Sequence, residues 1–323
     1  MLVYKIILLT ALGLGFLIVP ASAQETALDA AKKAYDVGDY PKAIEILKAA
    51  AQNEPNNGQI QLLLTKAYLE SNHFDDAVKS GERAVAIDPN SSAYHQTLGE
   101  AYGEKADHVS MLNAYSWARK AQSQFETAVQ LNDHNFDADQ DLIEYDCRAP
   151  GIAGGGKDKA EVLIQKLMAM DPAEGHYAQG ICNGAAAAAE YVRALENKPK
   201  TADRIYEMAD FFVDHGNGPQ LLQAAAAGAA LAPADPRGLY YQAVGLILSD
   251  QKFSDAENLL RQYQAAGPYR SSYPRAADVH YWLGRANAAQ NKVMVARNEY
   301  NLALKLDPKN KKAREALKQL DER

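Results

Sequence analysis

A short pattern recurs eight times along this chain of 323 residues. Each occurrence is rich in alanine and apolar residues and ends with Asp-Pro or a close variant, as in AVKSGERAVAIDP and ARNEYNLALKLDP. The residues that end the eight occurrences are Pro55, Pro89, Asp133, Pro172, Pro199, Pro233, Pro268 and Pro308. Two of the intervals are 34 residues and one is 35, and the others differ from 34 by an insertion or a deletion. This period predicts an array of stacked units, because one unit cannot bury its apolar face alone.

Each unit is predicted to be a pair of helices, each about 14 residues and about 21 Å long. Small residues such as Ala77, Ala84 and Gly99 would let the paired helices approach closely, and the proline would end the second helix. The predicted fold class is therefore all-α. The predicted units cover residues 24–57, 58–91, 92–135, 136–174, 175–201, 202–235, 236–270 and 277–310, followed by a C-terminal capping helix at 311–323.

Several positions of the repeat carry a characteristic set of residues. In the second unit the set comprises Leu64, Tyr68, Phe74, Ala77, Ala84 and Pro89. In the last unit it comprises Leu283, Gly284, Ala296, Tyr300, Ala303 and Pro308. At a period of 34 residues this set resembles the tetratricopeptide repeat (TPR), and the chain is similar to exported bacterial proteins of that type. The resemblance implies a right-handed α-solenoid of about eight hairpins, with departures at Asn287 and Asp133.

The first 23 residues differ from the rest of the chain. Lys5 is their only charge, residues 6–19 form an apolar run, and small residues follow at 21–23. This layout predicts a secretory signal peptide that is cleaved between Ala23 and Gln24. The run is shorter than the roughly 20 residues of a spanning helix. We therefore expect an exported, periplasmic chain without a transmembrane span after cleavage, or an inner-membrane anchor if the leader is retained.

The composition and motifs argue against several classes of function. A net charge of -7 does not provide the basic surface that nucleic-acid binding requires. The seven histidines are scattered and do not form a metal-ligand pattern. The segment 151–157 resembles a P-loop, but Asp158 follows where a serine or threonine would hold Mg²⁺. We expect a protein that is not an enzyme and that binds no cofactor, metal or nucleic acid.

Two insertions interrupt the array. About ten extra residues lie around 104–117 in the third unit, and they predict either lengthened helices or a looped turn. The alternative is a protrusion that presents apolar side chains to a partner, namely Met111, Tyr115 and Trp117. The second insertion, at 149–160, is rich in glycine and is predicted to be a connector in which Asp158 caps the next helix.

The chain has two cysteines, Cys147 and Cys182, which fall in the first helices of neighbouring predicted units. In an oxidising compartment they would form a disulfide if their Cα atoms came within about 7 Å of each other. Alternatively, both are small buried core residues. The sequence leaves both alternatives open.

In TPR arrays the first helix of each unit lines the concave face, so the resemblance implies which positions meet a partner. In the middle units these positions are acidic and comprise Glu100, Glu104, Asp137, Asp141, Glu144, Asp203, Glu207, Asp210 and Asp214. Towards the C-terminal end they are Tyr241, Tyr281, Trp282 and Arg285. We therefore expect either a groove with an acidic middle and an aromatic end, or a merely solvated face.

Two functions are consistent with these features. The first is a non-enzymatic exported scaffold that binds another protein, in the form of a basic or extended segment, along its concave face. Aromatic and arginine side chains would anchor the segment, and the acidic residues would steer its approach. The alternative is a periplasmic or envelope binding protein for a small molecule or a polysaccharide-assembly component, which would stack on Tyr241, Tyr281 and Trp282.

Overall fold

The computed structural model describes residues 26–267, 270 and 272–322. The predicted leader with its cleavage site, and Pro268, lie outside these residues. All regular secondary structure in the described part is helical, which confirms the predicted all-α repeat fold. The α-helices are α1 (Ala27–Asp36), α2 (Tyr40–Asn53), α3 (Gly58–Glu70), α4 (Phe74–Ile87), α5 (Ser92–Asp107), α6 (Met111–Leu131), α7 (Phe136–Arg148), α8 (Lys157–Met170), α9 (Pro172–Asn183), α10 (Ala188–Glu196), α11 (Ala202–Asp214), α12 (Gly218–Leu231), α13 (Arg237–Leu248), α14 (Phe253–Ala266), α15 (Ala276–Ala289), α16 (Val293–Leu306) and α17 (Lys311–Asp321).

The helices from α1 to α16 pair in chain order into hairpins, and α17 packs on the last of them. Each hairpin also contacts the next one. First helices meet first helices across several of these junctions, as α5 meets α7 and α13 meets α15. The first helices therefore form an inner layer and the second helices an outer layer, as stacking of repeated units requires.

The turns inside the hairpins share one backbone feature. Five of them place a residue with positive φ two positions after the end of the first helix: Gly38, Asn72, Gly216, Asp250 and Asn291. This left-handed conformation, with φ 75° at Gly38, ends an α-helix at a defined residue. Several of the following hairpins begin with a side-chain cap, as Asn57 and Thr201 accept hydrogen bonds from first-turn N–H groups.

Close packing within a hairpin depends on small residues in the first helix. A methyl group on Gly99 in α5 would lie only 2.5 Å from Cε1 of Phe125 in α6. Gly284 in α15 has the same relationship to Tyr300 in α16. The glycine of each Leu-Gly pair therefore makes room for an aromatic ring of the partner helix.

The apolar core is extensive in each half of the array and thin in the middle. One cluster of buried residues runs from Ala31 to Leu142, and another from Ala187 to Leu320. Between them lies a small cluster that comprises Ile143, Ala160, Ile164, Leu167 and Ala178. The middle cluster, which α7, α8 and α9 form, is therefore the smallest of the three clusters of buried apolar residues.

A disulfide joins the two hairpins of this thin region. The bond links Cys147 in α7 to Cys182 in α9, whose Cα atoms are 5.4 Å apart. Both cysteines are partly buried against the small middle cluster. The first helices of neighbouring hairpins are thus connected covalently where the core is smallest.

The first insertion is built as two lengthened helices, α5 with 16 residues and α6 with 21. Met111 and Tyr115 at the start of α6 are exposed, and Met111 is 76% exposed. Trp117 instead packs on Tyr102, with ring centroids 5.6 Å apart. Two of the three apolar side chains considered for a protrusion are therefore presented to solvent.

The glycine-rich insertion forms a loop that is tied to its neighbours. The Tyr145 hydroxyl donates to the Ala153 carbonyl over 2.6 Å, and Gln122 Nε2 donates to the Gly154 carbonyl over 3.0 Å. The prediction that Asp158 caps α8 is wrong, because the capping position is occupied by Gly156, which has no side chain to accept a hydrogen bond from the first turn. Asp158 lies in the first turn, where its charge interacts favourably with the helix dipole.

Helix α17 covers the end of the core. Ala313 and Leu320 are buried, and the lysines of this helix face outward. Lys312 Nζ lies 3.0 Å from Asp214 Oδ1 at the end of α11, so the cap also contacts the inner layer of the sixth hairpin.

Candidate partner-binding groove

The first helices of six successive hairpins, from α3 to α13, line one open cavity of about 530 Å³. We call it the central groove. It brings together eight of the residues predicted from the sequence: Glu100, Asp137, Asp141, Glu144, Asp203, Glu207, Asp210 and Tyr241. The other five lie beside neighbouring cavities: Glu104, Asp214, Tyr281, Trp282 and Arg285.

Arg204 in α11 binds acidic residues from three helices. Its guanidinium lies 2.8 Å from Asp137, 3.0 Å from Glu174 and 2.6 Å from Glu207. The guanidinium also stacks 4.3 Å above the ring of Tyr177. Asp137 and Glu207 are thus already paired within the protein, and their charge is largely offset.

Arg237 at the start of α13, one hairpin later, also pairs with acidic residues and contacts aromatic rings. Its Nη2 lies 2.5 Å from Asp203 Oδ1 and 2.5 Å from Asp235 Oδ2. The guanidinium is held between the rings of Tyr206 and Tyr273, at 4.6 and 4.4 Å from their centroids. Asp203 therefore belongs to an ion-pair network and is not a free acidic group.

Glu100 and Asp141 form a different kind of pair. Gln96 Nε2 donates to both, over 3.2 Å to Glu100 and 3.0 Å to Asp141, which holds the two carboxyl groups close together. Desolvation in the groove wall raises the pKa of Glu100 to about 7, against the opposing effect of Lys66. Desolvation and the charge of Glu100 also raise the pKa of Asp141. Both shifts mean that these two neighbouring carboxyl groups release their protons less readily than exposed carboxyl groups do.

Asp210 and Asp214 lie at the far end of the same row. The Tyr241 hydroxyl donates to Asp210 over 2.8 Å, and desolvation raises the pKa of Asp210 to about 6. Asp214 pairs with Lys312 as described above. The two carboxyl groups at this end of the row therefore have different partners, a tyrosine hydroxyl at Asp210 and a lysine at Asp214.

The predicted aromatic end is not an open stacking surface. Tyr241 is 1% exposed and Trp282 is 4% exposed, and Tyr281 is also buried. Tyr241 stacks on Tyr206, and Tyr281 packs edge-on against Trp282. The sequence predicted that these rings anchor a ligand, but they instead fill the space between neighbouring first helices. The alternative function, a binding protein for a small molecule or a polysaccharide-assembly component, required these rings to be exposed for stacking, and they are buried.

Sequence reasoning missed Arg204 and Arg237. Arg237 occupies the second position of its predicted unit, which is one of the positions assigned to the concave face, so a signal was present. Arg204 follows the assigned residue Asp203 by one position, where the repeat pattern assigns no inward role.

Neither a metal-binding cluster nor a membrane-spanning helix is found among the described residues. No group of three or more His, Cys, Asp and Glu side chains among them is arranged to hold a metal ion. No helix within the described ranges combines the length and the apolar character that a bilayer crossing requires.

Residues 34–101 match a family model described as tetratricopeptide repeat, and residues 248–311 match a second model with the same description. The chain contains tetratricopeptide repeats. The matched TPR stretches lie towards the two ends of the array, and the hairpins joined by the disulfide lie between them.

A stretch of 103 residues is 32% identical to the rhomboid protease GluP of Bacillus subtilis, over 31% of this chain and 20% of that protein. The chain thus spans about a fifth of that relative. Among solved structures, a TPR protein of Thermus thermophilus aligns with a TM-score of 0.46 and 17% identity, over 68% of this chain and 97% of that one. A tetratricopeptide repeat protein from Parabacteroides merdae aligns with a TM-score of 0.42 and 15% identity, over 91% and 97% of the two chains.

Proposed function

We propose that this protein is a non-enzymatic, exported TPR scaffold that binds a partner protein along the central groove. The observation that carries the proposal is the groove itself, which six successive first helices line and to which five of them present charged side chains. A groove that consecutive repeats form together suits an extended peptide or a helix of another protein.

The chemistry of the groove supports a partner segment that carries positive charge. Glu100 and Asp141 accept hydrogen bonds from Gln96, so a cation of the partner can still approach them. Arg204 and Arg237 are already paired with acidic residues of the protein and do not compete with the partner for Glu100 and Asp141. A segment with lysine or arginine residues would therefore be steered towards these two carboxyl groups.

Export is part of the proposal because of the leader at residues 1–23. N-terminal sequencing of the protein made in a bacterial host tests it. Gln24 as the first residue supports export with cleavage, whereas Met1 in a membrane fraction supports the anchored form.

Proteolysis is not part of the proposal. The match to the rhomboid protease GluP covers only 20% of that protein, and the matched stretch does not define the activity of the whole.

A cross-linking pull-down with residues 24–323 tests partner binding. We compare the wild type with a triple variant, Glu100→Gln, Asp141→Asn and Asp210→Asn, which removes charge from the groove without adding bulk. The matched control removes charge from three exposed residues outside the groove, with Glu45→Gln, Glu161→Gln and Glu196→Gln.

We expect a defined protein to be captured by the wild type and by the control, and about tenfold less of it by the triple variant at low salt. Equal capture by all three chains would show that the groove is not the binding surface. Absence of any saturable partner would overturn the scaffold function.

A further inference from the structure

The two insertions of the sequence meet at one cavity. Its volume is about 520 Å³, and it lies where α5, α6 and α7 meet the glycine-rich loop. The first insertion contributes residues on both sides of the α5–α6 turn, and the second contributes Ala149, Pro150 and Ala153. We call this cavity the insertion pocket. A regular repeat would have neither wall.

Small and apolar side chains form much of the lining of the insertion pocket. They are Ala106, Ala114, Ala118, Phe125, Pro150 and Ala153. Ala114 and Ala118 lie one turn apart on α6, so their small side chains leave a recess between them. Tyr115 also lines the pocket and is 39% exposed, so its ring is available to an incoming side chain.

The rim of the insertion pocket is acidic. It carries Glu100, Glu104, Asp107, Asp141 and Glu144. Arg148 is the one cationic side chain that lines the pocket among the described residues, and it is already paired with Glu144. An apolar recess with an acidic rim complements an apolar side chain that is flanked by positive charge.

The loop wall is held in place by several hydrogen bonds. Arg119 Nη2 donates to the Ile152 carbonyl over 3.1 Å, and Lys159 Nζ donates to the Gly154 carbonyl over 2.8 Å. The Gly156 N–H donates to the Asp146 carbonyl over 2.9 Å. A preformed wall lowers the entropy that a partner must lose on binding.

The insertion pocket opens onto the central groove. Glu100, Asp141 and Glu144 line both cavities. A segment that lies in the groove can therefore place one side chain in the pocket without changing direction.

We propose that the insertion pocket is the docking site for an apolar side chain of the partner, carried on a segment with flanking lysine or arginine residues. This inference rests on the proposed function, since it names the chemistry of the partner that the groove would bind. A second copy of this chain or an acidic segment is a competing occupant, and the test separates them.

The test uses three synthetic peptides of equal length and defined pattern. The first peptide carries leucines at helical spacing with lysines between them. The second has glutamate in place of each lysine, and the third has serine in place of each leucine. Fluorescence anisotropy measures their affinity for the oxidised chain of residues 24–323. We expect the lysine–leucine peptide to bind about tenfold tighter than either of the others.

Variants of the chain then locate the site. Ala118→Trp fills the recess, and its matched control is Ala49→Trp on the exposed side of α2. We expect about a tenfold loss of affinity for the first and none for the second. The double variant Glu104→Gln and Asp107→Asn adds no bulk, so it keeps the test valid if Ala118→Trp perturbs folding, and we expect it to weaken binding about fivefold.

Unchanged affinity in Ala118→Trp and in the double variant would overturn the inference, as would equal binding of the glutamate–leucine peptide. Sedimentation that shows the chain self-associating through this pocket would also overturn it. If a partner captured in the pull-down binds the Ala118→Trp variant normally but does not bind the triple variant of the groove, the docking role of the insertion pocket is ruled out. The proposed function then stands. If no partner is captured at all, the proposed function fails.

Discussion

Arg204 and Glu174 form an ion pair in which each side chain is only 8% exposed, with Nε and Oε2 3.0 Å apart. The pair connects α11 to α9 at the thin middle of the core. Taking two charges out of water is costly, so the pair is sensitive to loss of either partner.

Removing one member of this pair should destabilise the array strongly. Arg204→Met leaves Glu174 buried without its cation, and we expect a loss of about 3–5 kcal/mol in the free energy of unfolding. Urea unfolding followed by circular dichroism measures it. The double variant Arg204→Met and Glu174→Leu should recover part of the loss, because no buried charge is left unpaired. A small effect of Arg204→Met alone would contradict this account.

The stability of the chain should depend on pH through Glu100. Folding raises the pKa of this carboxyl from its usual 4.5 to about 7, so the folded state binds more protons than the unfolded state between these values. Stability should therefore fall as pH rises from about 4.5 to 7. The charged groups that face Glu100 are Lys66 on α3, Glu104 on α5, and Asp137 and Asp141 on α7.

The variant Glu100→Gln removes this carboxyl and, with it, the charge that raises the pKa of Asp141. We expect it to match the wild type near pH 4, where Glu100 is mostly protonated in the folded and the unfolded state alike, and to be more stable than the wild type near pH 7.5. Free energies of unfolding at the two pH values measure the difference. The control is Glu45→Gln, at an exposed position of α2. A pH profile that is the same in wild type and Glu100→Gln would rule out this carboxyl as the source.

The disulfide should be detectable and stabilising. Intact mass under non-reducing conditions should be lower by two hydrogens than after reduction, because Cys147 and Cys182 are bonded. The variant Cys147→Ser with Cys182→Ser should lose about 2–4 kcal/mol, since the bond closes a loop between two hairpins. Two free thiols in protein purified from an oxidising compartment would contradict the pairing.

Gly99 should not tolerate a methyl group. Gly99→Ala places a Cβ 2.5 Å from Phe125, and we expect a loss of about 1–3 kcal/mol from overpacking. Gly103→Ala, on the same helix, meets nothing within 4 Å, and should gain up to about 1 kcal/mol from helix propensity. Thermal unfolding of both variants compares them directly. Equal effects at the two positions would show that hairpin packing does not depend on Gly99.

The hairpin architecture could be predicted because its determinants are local and repeated. A proline or aspartate near the end of each second helix, and a glycine such as Gly99 opposite an aromatic ring, recur at similar spacing. The number of extra residues in the third unit was compatible with lengthened helices or with a looped turn, and the structure has the lengthened helices α5 and α6. The cap of α8 could not be predicted, because Gly156 and Asp158 both fit the start of a helix and only the geometry of the loop separates them.

The acidic side chains of the groove could be assigned from their positions in the repeat, but their pairing could not. Arg204 reaches Asp137 across 67 residues of sequence, and such a contact depends on how far each hairpin rotates relative to the next. The burial of Tyr241 and Trp282 was missed for a related reason. The position of a residue in a repeat gives the face of the helix on which its side chain lies. Whether a ring on that face is exposed depends on how closely the neighbouring helix packs against it.

The covalent bond between α7 and α9 has a mechanical consequence. Units of a repeat array touch only their neighbours, so a covalent bond between two units limits how far they can move relative to each other. Here the junction with the smallest apolar core is fastened by Cys147 and Cys182. Reduction would leave the two hairpins held together by packing alone. Both hairpins line the central groove, so the bond restrains the part of the protein that a partner would contact.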